Sequence, residues 1–278
     1  MLTTDDHRRD SAGLLYVYPV ISRRAGGVSV GINLNPNNAC NWACVYCQVE
    51  NLTRGGPPPI DLQRLEQELH GFLDQVLHGD FLARHVPLET RQLVDIAFSG
   101  NGEPTSATEF AEAVACVGKV IERFDLKGKI PIRLITNGSL FHRNAVQLGV
   151  RYLAELGGEV WFKIDRATDA EVVEVNGVRG NQDRVLKNLQ ISAKLAPTWV
   201  QTCWFRIDGE APTAQSRQAY CTLLRQVNDK LAGVHLYGLA RPSKQEAAPR
   251  LSSVTEDELM LFSCQIEEET GIRVVVSP

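Results

Sequence analysis

The chain has 278 residues, 44% of them apolar and 22% charged, the balance of an ordinary soluble globular protein with room for one large domain or two small ones. No apolar run reaches the length of a membrane span, and the acidic opening MLTTDDHRRDSAG lacks the apolar core of a secretory signal, so a cytoplasmic location without a membrane partner is expected. A net charge of −4 gives no support to nucleic acid as a partner, which stays possible only through a local basic face. Arg23, Arg24, Arg133, Arg143, Arg151, Arg166, Arg179 and Arg184 are scattered candidates for such a face, and a solvated surface is the simpler reading of them.

In chain order, strands are predicted at residues 28–34, 93–99, 132–136, 160–164, 198–207 and 234–239. Most are rich in β-branched or aromatic residues and end in Gly, Asn, Asp or Ser. Between them lie segments of helical period. Residues 61–78 place Leu62, Leu65, Leu69, Phe72, Leu73, Val76 and Leu77 on one face. Ser106 with Glu109 is read as a capping box ahead of Phe110, Val114, Val117, Ile121 and Phe124. Further helices are predicted at 141–156, 181–195 and 214–231, and a last one opens with Thr255 and Glu258 as a second capping box. Six alternations of strand and helix predict an α/β fold with a parallel sheet, whose reactive groups collect where the strands end. Residues 241–253 read as the loosest stretch.

Seven cysteines are unevenly placed: Cys40, Cys44 and Cys47 share one Asn- and Pro-rich loop straight after the first predicted strand, while Cys116, Cys203, Cys221 and Cys264 stand apart. The isolated four read as small buried hydrophobes. Three thiolates spaced C-x3-C-x2-C can hold three corners of a four-iron cluster, leaving one iron open to another ligand. Zinc usually takes paired ligands, and the nearest histidines, His7 and His70, form no pair; a zinc or non-catalytic iron–sulfur module stays open on the loop alone.

The spacing C-x3-C-x-aromatic-C, with Tyr46 in the aromatic position, resembles the signature of the radical S-adenosylmethionine (SAM) superfamily. The resemblance implies a partial (β/α)6 barrel of parallel strands with a short C-terminal helix and strand extension. Residues 28–241 would form the core, 1–27 an N-terminal segment and 242–278 the extension. It implies a [4Fe–4S] cluster on Cys40, Cys44 and Cys47, with SAM on the open iron and an external one-electron reductant of flavodoxin or ferredoxin type.

The family's Gly-Gly-Glu motif after the second strand is similar to Gly100-Asn101-Gly102-Glu103, where Asn101 replaces the commoner second glycine. The resemblance assigns Gly100, Gly102 and Glu103 to SAM binding, with Glu103 toward the amino group and the glycines allowing close backbone approach. Tyr46, Asn137 and Asp165 join them, Asn137 equally readable as a turn residue and Asp165 as a ribose contact. Lys163 and Asp165 alternate with apolar neighbours, and a buried ion pair is the rival reading. The fifth strand is loosely similar to the pattern that packs on adenine, the sixth would offer backbone contacts, and His235 reads as a core residue.

The wording VGINLNPNNACNWACVYCQVE, FSGNGEPT and LITNGSL resembles a narrower branch, the wyosine-base synthases that modify tRNA. Those enzymes are expected to carry a second cluster on cysteines upstream of the first strand, and no cysteine precedes Cys40. A small metabolite or peptide substrate therefore fits better than tRNA; a glycyl-radical-activating enzyme is the other alternative.

Overall fold

The computed structural model describes residues 2, 12–22 and 26–277. Part of the expected N-terminal segment, including His7 and the candidate cations Arg23 and Arg24, lies outside the described residues. The chain enters on β1 (Val17–Ser22) and β2 (Gly27–Ile32), an antiparallel pair with Val17 opposite Ile32 and Ser22 opposite Gly27. Both strands are buried on two faces, which is why they read as continuous apolar runs. The two-residue strands β3 (Ala39–Cys40) and β4 (Thr53–Arg54) follow. Next comes α1 (Leu62–Leu77), whose first turn is capped by Asp61 accepting from the Arg64 amide; it buries Leu65, Leu69, Phe72, Leu73 and Val76 on one stripe.

Helix α2 (Phe81–His85), β5 (Leu93–Phe98), α3 (Phe110–Arg123), β6 (Ile132–Thr136) and α4 (Asn144–Glu155) continue the alternation. After them run β7 (Glu159–Lys163), α5 (Asp169–Asn176), α6 (Gln182–Leu195), β8 (Thr198–Cys203), β9 (Phe205–Ile207) and α7 (Ala214–Arg225). The chain closes on β10 (Gly233–Tyr237), β11 (Leu251–Ser253), α8 (Glu256–Thr270) and β12 (Val274–Ser277).

The chain divides into two compact units, Met1–Asn41 with Gly55–Ile135 and Arg143–Glu159, and Trp42–Arg54 with Thr136–His142 and Val160–Pro278. In the first, β2 pairs in parallel with β5 and β5 with β6, and α3 packs against α1 and α4. Val28, Val30, Ile32, Ile96, Phe98, Val114, Val117, Ile121 and Leu134 are its fully buried core. In the second, β7, β8, β10 and β12 pair in parallel in that order, and β9 with β11 makes a separate antiparallel ribbon. Its core includes Phe162, Val200, Leu236, Tyr220 and Phe262, with the Trp204 and Phe262 rings stacked at 4.3 Å. The class is therefore mixed α/β, mostly parallel, with α8 and β12 as the C-terminal helix and strand.

All six predicted strands occur, but the run 198–207 is broken. The ladder of β8 with β7 ends at Gln201; Trp204 still donates its amide to the Tyr237 carbonyl of β10 at 2.8 Å, and Phe205–Ile207 then pair with β11. The predicted helix 214–231 stops at Arg225, followed by a short turn at Asn228–Lys230. The capping box at Thr255 and Glu258 forms. The one at Ser106 and Glu109 does not: Glu103 caps a single 3-10 turn at Pro104–Ser106, and Glu109 instead accepts from the Ile60 amide at 3.3 Å. Strands β1 and β11 and helix α5 carry no clear period in the sequence and are not predicted from it; β12 is expected only as the strand of the C-terminal extension.

Candidate functional site

In the first unit, the chain leaving β5 makes the turn Gly100-Asn101-Gly102-Glu103 against the asparagine loop that follows β2. Asn33, 2% exposed, accepts the Asn35 amide at 3.0 Å and the Asn101 amide at 3.1 Å. Asn35, 1% exposed, donates to the Ala39 carbonyl at 3.0 Å and to Ser106 Oγ at 3.2 Å, while Asn101 Nδ2 donates to Asn38 Oδ1 at 2.7 Å. The glycines are required by this packing. A Cβ on Gly102 would overlap the Ala39 carbonyl and lie 2.7 Å from Asn35 Nδ2, and one on Gly100 would lie 2.8 Å from Asn33 Cγ. The closeness expected toward a ligand is thus met by the chain itself. Glu103, 2% exposed, accepts the Thr105 amide at 3.1 Å and its hydroxyl at 2.5 Å. Asn33 and Asn35 were not singled out, although N-x-N-P directly after a strand is a legible turn signal. Cys40, half-buried, ends β3 in this unit.

The second unit holds Cys44, Tyr46 and Cys47, and there the charges gather. Asp165, 1% exposed, accepts from the Tyr46 hydroxyl at 2.5 Å and Asn176 Nδ2 at 2.9 Å on one oxygen, and from the Cys203 amide at 2.9 Å on the other. Arg166 donates to the Asp165, Cys203 and Phe205 carbonyls and places its guanidinium 4.5 Å from the Trp204 ring. Lys163 Nζ lies 3.5 Å from the Tyr46 hydroxyl, so Lys163 and Asp165 are joined through tyrosine rather than as a direct pair. Burial, then the Asp165 charge, pushes the Cys44 thiol up to about 12 and raises Tyr46 and Cys203 as well. Burial works against the charge on Lys163, but Tyr237, Asp165, Cys44 and Cys203 outweigh it and hold the ammonium charged. Burial lowers Arg166, with Asp165 opposing.

Two segments grip the cysteine loop within this unit. The end of α5 takes the Ala43 amide on the Asn176 carbonyl at 3.0 Å and the Val45 amide on the Val175 carbonyl at 2.9 Å, and Asn176 Nδ2 donates to Cys44 Sγ at 3.4 Å. The stretch 243–245, read from sequence as loose, is a clasp. Ser243 Oγ donates to the Val45 carbonyl at 2.6 Å, and the Cys47 carbonyl accepts from the Lys244 amide at 2.9 Å and Gln245 Nε2 at 3.1 Å. Neither Asn176 nor this clasp had any sequence signal, since both act across more than 130 residues.

Asn137 makes the turn after β6: its Oδ1 accepts the Ser139 amide at 3.1 Å and hydroxyl at 2.7 Å. Gly138 follows at φ 70°, where a Cβ would overlap the Phe162 ring. His235 sits between Trp199 and Trp161, ring centres 4.4 and 4.5 Å away.

None of the seven cysteines is in a disulfide, and among the described residues no three Cys, His, Asp or Glu side chains are already gathered as a metal set. The donor chemistry on the loop nonetheless suits a thiolate-bound cluster: three half-buried thiols outside any disulfide, an amide N–H on one sulfur and a charged lysine acting on the same thiol.

No family model matches the chain. It is 28% identical over 171 residues to the UPF0026 protein MJ1312 of Methanocaldococcus jannaschii, covering 62% of this chain and 46% of that protein. It is 23% identical over 129 residues to a protein named GTPase Obg of Brachyspira hyodysenteriae, covering 46% of this chain and 16% of that one. The chain thus spans less than half the length of either curated relative. Among solved structures, a radical SAM methyltransferase from Sphaerobacter thermophilus superposes with a TM-score of 0.61 at 17% identity, over 94% of this chain and 68% of that one. Streptococcus suis SuiB bound to S-adenosylmethionine gives 0.55 at 11% identity, over 91% and 47%. The chain has the fold of these radical SAM enzymes, the expected partial barrel.

Proposed function

We propose that this chain is a radical SAM enzyme that carries a [4Fe–4S] cluster on Cys40, Cys44 and Cys47 and reductively cleaves S-adenosylmethionine. The observation that carries the proposal is the coincidence of this fold with a C-x3-C-x2-C loop, outside any disulfide, directly after β2. When bound, such a cluster with one iron open to SAM supplies one-electron cleavage of the sulfonium, giving methionine and a 5′-deoxyadenosyl radical.

The chain's residues provide the setting. Ser243, Lys244 and Gln245 hold the Cys47 carbonyl, and Lys163 brings a positive charge toward Cys44. Gly100, Gly102 and Glu103 are the proposed SAM-binding turn, with Tyr46, Asn137 and Asp165 as further members. Asp165 acts by fixing Tyr46 and Asn176, since both its oxygens already accept hydrogen bonds.

The proposed core is residues 28–241, the location cytoplasmic, and the reductant an external one-electron donor of flavodoxin or ferredoxin type. A small metabolite or peptide is the favoured substrate class; the tRNA-modifying alternative is opposed by the net charge of −4. GTP hydrolysis has no phosphate cradle in this chain, which contains no G-x4-G-K-[S/T] stretch. Anaerobically reconstituted protein given dithionite and SAM is expected to release 5′-deoxyadenosine, and Cys44→Ala to abolish it. Wild type that holds iron yet neither binds nor cleaves SAM would leave a non-catalytic binding module.

A further inference from the structure

Resting on the cluster proposal above, we infer that Asn176 tunes the reduction potential of that cluster through Cys44. The side-chain amide of Asn176 has two N–H groups and two acceptors: Asp165 Oδ2 at 2.9 Å and Cys44 Sγ at 3.4 Å. The bond to the carboxylate fixes the plane of the amide, and that leaves the second N–H directed at sulfur. Asn176 is 2% exposed, and in a site with so little water a hydrogen bond is electrostatically stronger than at the surface.

The physical effect has a definite sign. One-electron reduction adds negative charge that is shared with the cysteine sulfurs, and an N–H dipole aimed at a sulfur stabilises the reduced form. Hydrogen bonds to sulfur are among the recognised controls on iron–sulfur potentials. Asn176 therefore makes the cluster easier to reduce.

Anchoring the loop does not require this side chain. The Ala43 and Val45 amides bond to backbone carbonyls of residues 176 and 175, and α5 itself is secured by Thr168, whose Oγ accepts the Glu171 amide at 3.3 Å. Any residue at 176 that keeps the helix would supply those contacts. What is particular to asparagine is the donor placed on sulfur, and its orientation by Asp165 makes it a positioning residue acting through a proposed cluster ligand.

The test is an anaerobic redox titration followed by electron paramagnetic resonance, on reconstituted wild type, Asn176→Leu and Thr168→Ala. Leucine keeps the γ-branched shape, in a larger volume, without an N–H, whereas Thr168→Ala loosens α5 and keeps the amide. The expected result is a shift of about tenfold in the reduction equilibrium of Asn176→Leu toward the oxidised form, ~59 mV for one electron, with Thr168→Ala unchanged. An unshifted Asn176→Leu, or an equal shift in both variants, overturns the inference while leaving the cluster intact. If Asn176→Leu does not retain iron, Asn176→Ser, which keeps a donor on a shorter arm, is expected to fall between, and a potential equal to wild type counts against the inference. Wild type that takes up no iron instead overturns the underlying cluster proposal.

Discussion

Apart from the capping Glu103 carboxylate, the turn at residues 100–106 is neutral: two glycines, Asn101, a proline, a threonine and a serine, set against Asn33 and Asn35 by close packing and short amide bonds. The surroundings of Asp165 are ionic. One buried carboxylate faces Lys163 through Tyr46 and lies beside Arg166, and three donors converge on its two oxygens. The first region is held by shape: adding one carbon atom closes it. The second is held by charge, and its parts come from β7, α5, β8 and the cysteine loop. Such a cluster is costly to bury and is stable only while every member keeps its partner. The comparison teaches where each region is fragile, and four substitutions measure it.

The largest effect is expected for Asp165→Ala, which leaves Tyr46, Asn176 and the Cys203 amide without their acceptor and takes a counter-charge from the buried Arg166 and the half-buried Lys163. A loss of about 3–5 kcal/mol is expected, read as a lower urea midpoint at unchanged slope. A loss below ~1 kcal/mol would show that the cations are not balanced by this carboxylate. Gly102→Ala tests shape in the neutral turn: overlap with the Ala39 carbonyl and Asn35 is expected to cost about 1–3 kcal/mol in thermal unfolding. Gly56→Ala, with nothing within 4 Å of its added carbon, serves as the near-neutral control. Equal costs at the two glycines would remove the packing argument.

Glu103→Ala should cost about 1 kcal/mol by uncapping the turn at Pro104–Ser106. Its sharper readout is SAM affinity, expected to weaken with iron content retained; unaltered affinity would confine Glu103 to capping. Ser243→Ala is expected to cost a comparable amount, about 0.5–1.5 kcal/mol, because the Val45 carbonyl loses its hydroxyl donor while the Cys47 carbonyl keeps Lys244 and Gln245. Faster stripping of reconstituted iron by a chelator is expected alongside. An unchanged stripping rate would mean that the clasp holds the backbone without bearing on the cluster.

The contrast also explains which features could be read in advance. The turn after β5 is contiguous, so its glycines and acid appear as one legible string, and only their structural reason was missing: the room they provide is filled by Asn33 and Asn35. The ionic cluster is not contiguous. Lys163 and Asp165 were noticed because they interrupt an apolar strand, yet their connection through Tyr46 spans more than 110 residues. Helix α5 was missed because DAEVVEVN has almost no one-sided apolar stripe: its buried residues Val172, Val175 and Asn176 do share a helix face, but one of the three is polar and the apolar Val173 lies exposed off that face. Strand β12 is expected only through the resemblance, as the strand of the C-terminal extension, because VVVS is too short to set strand bounds by itself.

The sequence by itself determined the alternation of strands and helices, because apolar period and turn residues are local properties that survive without knowledge of the fold. It also determined the loop of three thiols and the glycine-acid turn, since both are short strings with their own chemistry. Only the tertiary structure decided what surrounds Cys44. Hydrogen bonds from Asn176, the charge of Lys163, and the clasp of Ser243 and Gln245 on the neighbouring carbonyls all arrive from distant parts of the chain. Their energetic worth depends on burial and on distances of about 3 Å, quantities that exist only once the chain has closed on itself.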